Sequence, residues 1–274
     1  MPFYLNCRRL FPTSGLRPVG PGLLQFSVAK PDNVRTGESG LPVGFADGAD
    51  RPARVMLETG GSGRDSEAGP VSSTPVFSTK EWEMARITIV YHSGYGHTLK
   101  QAEAVRAGAG SVPGAETVLI AVDAEGNLPE GGWEALAAAD AIVFGAPTYM
   151  GGPSWQFKKF ADASSKPWFS QAWKDKIGAG FTNSASLNGD KLATLHYFFT
   201  LAMQHSMIWI GTGLMPSNRK AAQRNDVNYL ASFSGAMAQS PSDASPDEGP
   251  LPGDLETANL FGQRVAGYAV KTKG

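Results

Sequence analysis

Residues 86–101 read RITIVYHSGYGHTLKQ. The first six are β-branched or apolar apart from Arg86, the composition of a buried strand. His92–Thr98 then brings two glycines and the aliphatic hydroxyls of Ser93 and Thr98. After it, Leu99, Ala102, Val105 and Ala109 fall on one face of a helix. A strand, a glycine-rich turn and a helix in this order form the repeating unit of a parallel α/β sheet. A phosphate at such a turn meets backbone N–H groups and the positive end of the helix. Gly94 and Gly96 permit the close approach, and Ser93 and Thr98 add hydroxyl donors.

Several occupants compete for that turn. A nucleoside triphosphate site wants GxxxxGK[ST], but His97 stands in the lysine slot and the spacing is wrong. A dinucleotide site wants GxGxxG, and GYGHTL lacks the third glycine. A flavin mononucleotide needs only a hydroxyl-rich turn for its one terminal phosphate. The bland alternative is an ordinary β-α turn.

Outward from this unit the pattern repeats. Strands are expected at 116–122, 140–147, 175–183 and 207–211. Helices are expected over GGWEALAAA, over SWQFKKFADASS, over 190–206, and after Asp254, which reads as an N-cap. In the helix over 190–206, Leu192, Leu195, Phe199 and Ala202 form the expected apolar stripe. The fold class is α/β, with a five-stranded parallel sheet and helices on both faces. Ligands in such sheets bind at the carboxyl ends of the strands. Two further loops end there, APTYMGGPS (146–154) and TNSASLNGDK (182–191). The first offers Tyr149 and backbone amides to a flat ring; the second offers Asn183, Ser184 and Ser186. Residues 212–253 form a long loop, expected as a lid or an oligomer contact. Its Arg219, Lys220 and Arg224 read as solvated.

Residues 1–83 differ in character. They are rich in Gly, Pro, Ser and Asp without a sustained apolar period, and read as a largely disordered extension. KEWEM, residues 80–84, reverse-translates to AAR-GAR-TGG-GAR-ATG, which can contain a ribosome-binding AAGGAG just before the Met84 codon. The extension is therefore also readable as translated leader, with the domain proper spanning 84–274.

Composition narrows the function. The formal net charge of -1 over 274 residues gives no electrostatic footprint for nucleic acid. Cys7 is the one cysteine, which excludes an intrachain disulfide and a cysteine-based zinc site. The four histidines have no metal-ligand spacing, so no metal is expected. No apolar run is long enough for a membrane helix, and no ordered secretory signal is present, so a cytoplasmic protein is the default.

IVYHSGYGHT, GAPTYMGG, KxGAGFTNSAS and GTGLMPSN, in this order, resemble the flavodoxin-like NAD(P)H:quinone oxidoreductases of the WrbA (tryptophan-repressor-binding protein) type. The resemblance covers about residues 84 to 270. It implies FMN as cofactor, NADH or NADPH as electron donor, a quinone-like acceptor, and a homo-oligomer, dimer or tetramer. Carried onto this sequence, it places the phosphate on Ser93, Gly94, Tyr95, Gly96, His97 and Thr98. The ring and ribityl chain fall to Pro147, Thr148, Tyr149, Met150 and Gly151. The third loop contributes Thr182, Asn183, Ser184, Ala185, Ser186, Leu187 and Asn188. Tyr95 matches a tyrosine near the nicotinamide. Trp168 matches a substrate-side tryptophan and His205 a histidine beside the flavin, the two candidate catalytic residues. A helix cap is the plain alternative for His205. A flavodoxin-type electron carrier or regulatory flavin-binding module is the alternative for the whole chain.

Overall fold

The computed structural model describes residues 83–273; the expectations for the earlier residues lie outside them. Four long parallel strands carry the sheet: β1 (Ala85–Tyr91), β2 (Ala115–Ala121), β3 (Ala141–Tyr149) and β5 (Ile177–Ser184). Each is bounded within two residues of its expected span. A two-residue strand β4 (Gly152–Pro153) folds back antiparallel on β3. The fifth position beside β5 is shared. β6 (Ile208–Trp209) pairs with Ile177 and Gly178, and β7 (Ala236–Gln239) pairs with Phe181–Ser184. The sheet therefore has seven strands rather than five, in the order β2-β1-β3-β5-β6. Residues 210–235 leave the sheet between β6 and β7, and β7 lies in what the sequence presents as loop.

Among the described residues six helices cover the sheet: α1 (His97–Gly110), α2 (Gly132–Ala138), α3 (Trp155–Ala163), the short α4 (Ser165–Phe169), α5 (Lys191–Gln204) and α6 (Pro252–Lys273). One core lies between the sheet and the α1–α6 pair, with Ile87, Ile89, Val105, Phe261 and Val265 fully buried. The other lies against α2, α3 and α5, around Phe144, Phe157, Phe160, Trp173 and Phe198. α1 and α6 touch backbone to backbone. A Cβ on Gly108 would sit 1.8 Å from the Asn259 carbonyl oxygen, so only glycine fits there.

Two expectations about helix faces are corrected. The buried residues of α5 are Lys191, Thr194, Leu195, Phe198 and Ala202, while Leu192 and Phe199 are largely exposed. An apolar-stripe reading points the helix slightly wrong because two of its buried residues are polar. α6 starts at Pro252, so Asp254 lies inside its first turn and not at the cap. There it is buried and forms a two-pronged ion pair with Arg224, Nη1–Oδ1 2.8 Å and Nη2–Oδ2 2.7 Å. Arg224 is thus a structural clamp, not a solvated loop residue. It ties the 210–235 segment to α6.

Candidate functional site

The first loop, the turn between β3 and α3, and the loop after β5 all leave the carboxyl ends of their strands. They meet at one edge of the sheet, where the strand order reverses between β1 and β3. There they enclose a cavity of about 500 Å³. It is lined by Tyr95, His97 and Thr98 from the first loop, Pro147 and Tyr149 from the second, and Asn183 and Ala185 from the third. A fourth wall is contributed by Ser240–Pro246, which directly follows β7. Sequence reading expected the long loop as a lid or an oligomer contact but named none of these residues for the site. The wall's only signal was the proline- and serine-rich composition of the long loop.

The first loop is built as a cradle. Ser93 Oγ accepts from the amides of Gly96 and Leu99, both at 3.1 Å, and so caps the start of α1. The amides of His97 and Thr98 have no acceptor among the described residues, and both residues line the cavity. Gly96 has φ 89, and a Cβ there would lie 2.7 Å from Pro246 of the fourth wall. A Cβ on Gly94 would lie 2.8 Å from the Tyr149 hydroxyl. Both glycines therefore let the backbone come close to the opposite walls. His97 Nδ1–H donates to the Gly249 carbonyl at 2.9 Å, and Lys100 pairs with Asp247 at 2.9 Å. These contacts fix the end of the fourth wall to α1. Among the described residues no lysine or arginine lines the cavity, so an anion there would be held by amides, hydroxyls and the helix end.

In the second loop, Met150 (φ 49) and Gly151 (φ 77) form a two-residue hairpin turn between β3 and β4. Met150 stands fully exposed at its tip. Tyr149 packs edge-on against Tyr95 with ring centroids 6.4 Å apart, making an aromatic rim at the mouth. Burial, and secondarily Tyr95, push the Tyr149 hydroxyl above its ordinary pKa, so it stays a neutral donor.

Thr148 and Thr182 do not line the cavity. Thr182 donates to the Ala146 carbonyl at 2.7 Å, which obliges Thr148 to donate to Thr182 at 2.8 Å, and Thr194 of α5 to donate to Thr148 at 2.7 Å. Their hydroxyls lock the second and third loops to α5. Asn183 does line it, and its Nδ2 donates to Ser240 Oγ at 3.1 Å. Ser184, Ser186, Leu187 and Asn188 continue the third loop beyond the lining. His92, unassigned in the sequence, is buried at the seam of the first two loops. Its Nδ1 bonds Ser154 Oγ at 2.8 Å, and burial lowers its pKa.

The structure brings His205 and Trp168 together, but not to this cavity. His205 caps the C-terminus of α5, at the opposite edge of the sheet, where β5 begins. Both residues line two small clefts there. Ser164 Oγ donates to the Ala161 carbonyl at 2.7 Å, so it accepts from His205 Nε2–H at 2.8 Å. His205 lies against Trp173 with ring centroids 4.2 Å apart, and burial pushes its pKa down to about 4. Its imidazole is therefore neutral, and its Nδ1 is buried with no partner among the described residues. Trp168 is half-exposed beside it.

Known proteins match this picture. A family model described as NADPH-dependent FMN reductase matches residues 132–221. A flavodoxin, FldP, from Pseudomonas aeruginosa is 51% identical over 183 residues, covering 67% of this chain and 96% of that protein. The chain belongs to the flavodoxin-like family of FMN-binding oxidoreductases. An NAD(P)H dehydrogenase (quinone) from Syntrophus aciditrophicus is 34% identical over 208 residues, covering 68% of this chain and 98% of that one. The crystal structure of a flavodoxin, WrbA-like protein from Agrobacterium tumefaciens aligns with a TM-score of 0.54 and 53% identity, over 68% of this chain and 98% of that chain.

The cavity fits the family's cofactor. Its volume is in the range of small-molecule sites, roughly 300–1,000 Å³. The glycine cradle and the unpaired amides of His97 and Thr98 suit a phosphate. The Tyr149 and Asn183 walls suit a flat ring with polar edges. No helix among the described residues is long and apolar enough to cross a membrane.

Proposed function

We propose that this chain is an FMN-dependent oxidoreductase that passes two electrons from NADH or NADPH to a quinone-like acceptor. The observation that carries the reading is the convergence of four loops on one cavity, with a glycine cradle at one end and an open aromatic rim at the other. FMN, when bound, supplies the electron-transfer chemistry. The first loop holds the phosphate through the His97 and Thr98 amides, with Ser93 keeping the turn in shape. Pro147, Tyr149, Asn183 and Ala185 orient the ring. Tyr95 and Tyr149 present aromatic surface at the mouth, on which a nicotinamide or a quinone stacks in turn. The Ser240–Pro246 wall excludes water from the phosphate side.

The homologues named NAD(P)H dehydrogenase (quinone) support the two-electron reading. Trp168 lies at the far sheet edge of its own subunit, so it reaches a substrate only from a second copy. The proposal therefore includes a homo-oligomer. A second reading is favoured by the 51% identical protein named flavodoxin: a carrier that hands electrons to a protein partner.

The purified protein is expected to be yellow with a flavin spectrum. Steady NADH or NADPH oxidation with benzoquinone as acceptor supports the enzyme. Flavin content without that turnover supports the carrier. A colourless protein that fails to bind added FMN overturns both.

A further inference from the structure

Lys191, the first residue of α5, is fully buried directly beneath the third loop. Its Nζ donates to Ser184 Oγ at 2.8 Å, to the Ser186 carbonyl at 2.7 Å and to the Leu187 carbonyl at 2.9 Å. Three ammonium protons thus meet three acceptors. Ser184 Oγ in turn donates to the Ser186 carbonyl at 3.0 Å, so its own proton is committed. The segment held this way, Ala185–Asn188, is exposed and belongs to no helix or strand. Gln239 Nε2 fastens it from the other side through the Ala185 carbonyl at 3.0 Å.

Peptide geometry gives this clamp a consequence for the site. In a trans peptide the N–H points opposite to the carbonyl it follows. Drawing the Ser186 and Leu187 carbonyls onto Lys191 turns the Leu187 and Asn188 amides to the opposite side of the loop. Neither amide has an acceptor among the described residues. We propose that the Lys191 ammonium is a positioning residue for FMN: it sets the third loop so that its Asn183 and Ala185 wall receives the flavin. The inference rests on the FMN reading above and goes beyond it, since Lys191 itself does not line the cavity.

The clamp is sensitive to protonation. A neutral amine has two N–H groups for three acceptors, and its lone pair then faces an oxygen. The charged groups that act on Lys191 are Asp254 of α6, which favours the ammonium, and Arg224, which opposes it. Of the strands packed against α5, β4, β5 and β6 carry no titratable residue and β3 carries Tyr149; α5 itself carries His196 and Tyr197. Burial outweighs both charges and brings the lysine down to about 8, within reach of mild alkali.

The test is a titration of the full-length apoprotein with FMN, followed by quenching of flavin fluorescence, between about pH 7 and about pH 9. The expected result is a dissociation constant that rises up to about ten-fold over the last pH unit. Lys191→Met is expected to bind FMN about ten-fold more weakly at neutral pH and to lose the pH dependence. Ser184→Ala, which removes one acceptor, is expected to move the midpoint to lower pH. A flat wild-type profile overturns the proposal, as does Lys191→Met binding like wild type. If Lys191→Met does not fold, the wild-type and Ser184→Ala profiles decide. No binding of FMN at any pH overturns the cofactor reading, and this inference with it; tight but pH-independent binding overturns the inference alone.

Discussion

The burial of Lys191 predicts a stability effect opposite in sign to its effect on FMN. Its pKa falls from an ordinary 10.5 to about 8 in the folded apoprotein. A displacement of about 2.5 units at roughly 1.4 kcal/mol each corresponds to about 3 kcal/mol. Between pH 8 and 10.5 the unfolded chain keeps a proton that the folded chain has released, so stability rises with pH across that window. Below about pH 8 the full cost of burying the charge is present. Lys191→Met removes that cost and leaves three acceptors without the ammonium. The Ser186 and Leu187 carbonyls belong to exposed residues that water can reach, so their loss is small, about 1 kcal/mol in all. The apo variant should therefore be more stable than wild type at pH 7, by about 2 kcal/mol, or roughly 4–8 °C in Tm. The gap should narrow as pH approaches 10. Urea unfolding of both apoproteins at neutral and alkaline pH measures it. A variant less stable at pH 7, or a gap that ignores pH, would refute the reasoning.

Ser93→Ala removes the acceptor for the Gly96 and Leu99 amides and should weaken FMN binding about five-fold, at about 1 kcal/mol for a lost helix cap; fluorescence titration reads this. Gly96→Ala combines a left-handed φ with a Cβ 2.7 Å from Pro246, so it should displace the fourth wall and weaken FMN by about ten-fold or more, with unfolding midpoints changed by only about 1–2 kcal/mol. Asp254→Ala leaves Arg224 half-buried without its partner and should cost about 3 kcal/mol in chemical unfolding. Trp168→Ala lies at the far sheet edge and should leave the FMN dissociation constant unchanged, whatever it does to quinone turnover.

The sheet was legible because parallel strands buried on both faces read as apolar runs, as RITIVY and AIVFGAP do. The cradle was legible because its glycines and hydroxyls sit where a strand turns into a helix. Polar residues in buried places were not legible. Lys191 and Thr194 occupy the inward face of α5, so a search for its apolar stripe selects Leu192 and Phe199, which face outward. Asp254 looks like a cap because aspartate usually is one, yet its partner Arg224 lies 30 residues away. β7 was hidden for a related reason. Four residues, AMAQ, are too short to stand out within a loop, and they become a strand only by pairing with β5. His205 could be matched to a family position, but it ends a helix that runs back from the carboxyl edge of β5, which puts it at the other edge of the sheet.

These hidden residues belong to one construction. Splitting the fifth sheet position between β6 and β7 lets residues 210–235 leave and return, and the return delivers Gln239 and Ser240 to the cavity edge. Arg224 grips Asp254, and Asp254 Oδ2 also accepts the Gln239 amide at 2.8 Å. Gln239 holds the Ala185 carbonyl, while Ser240 Oγ holds Asn183. The third loop is thus clamped by Lys191 from α5 and by Gln239 from β7, the latter fixed by the ion pair that anchors the insertion. An insertion tied only to solvent would be free to move without consequence for the cofactor. Tied through Asp254, it shares its register with two walls of the site.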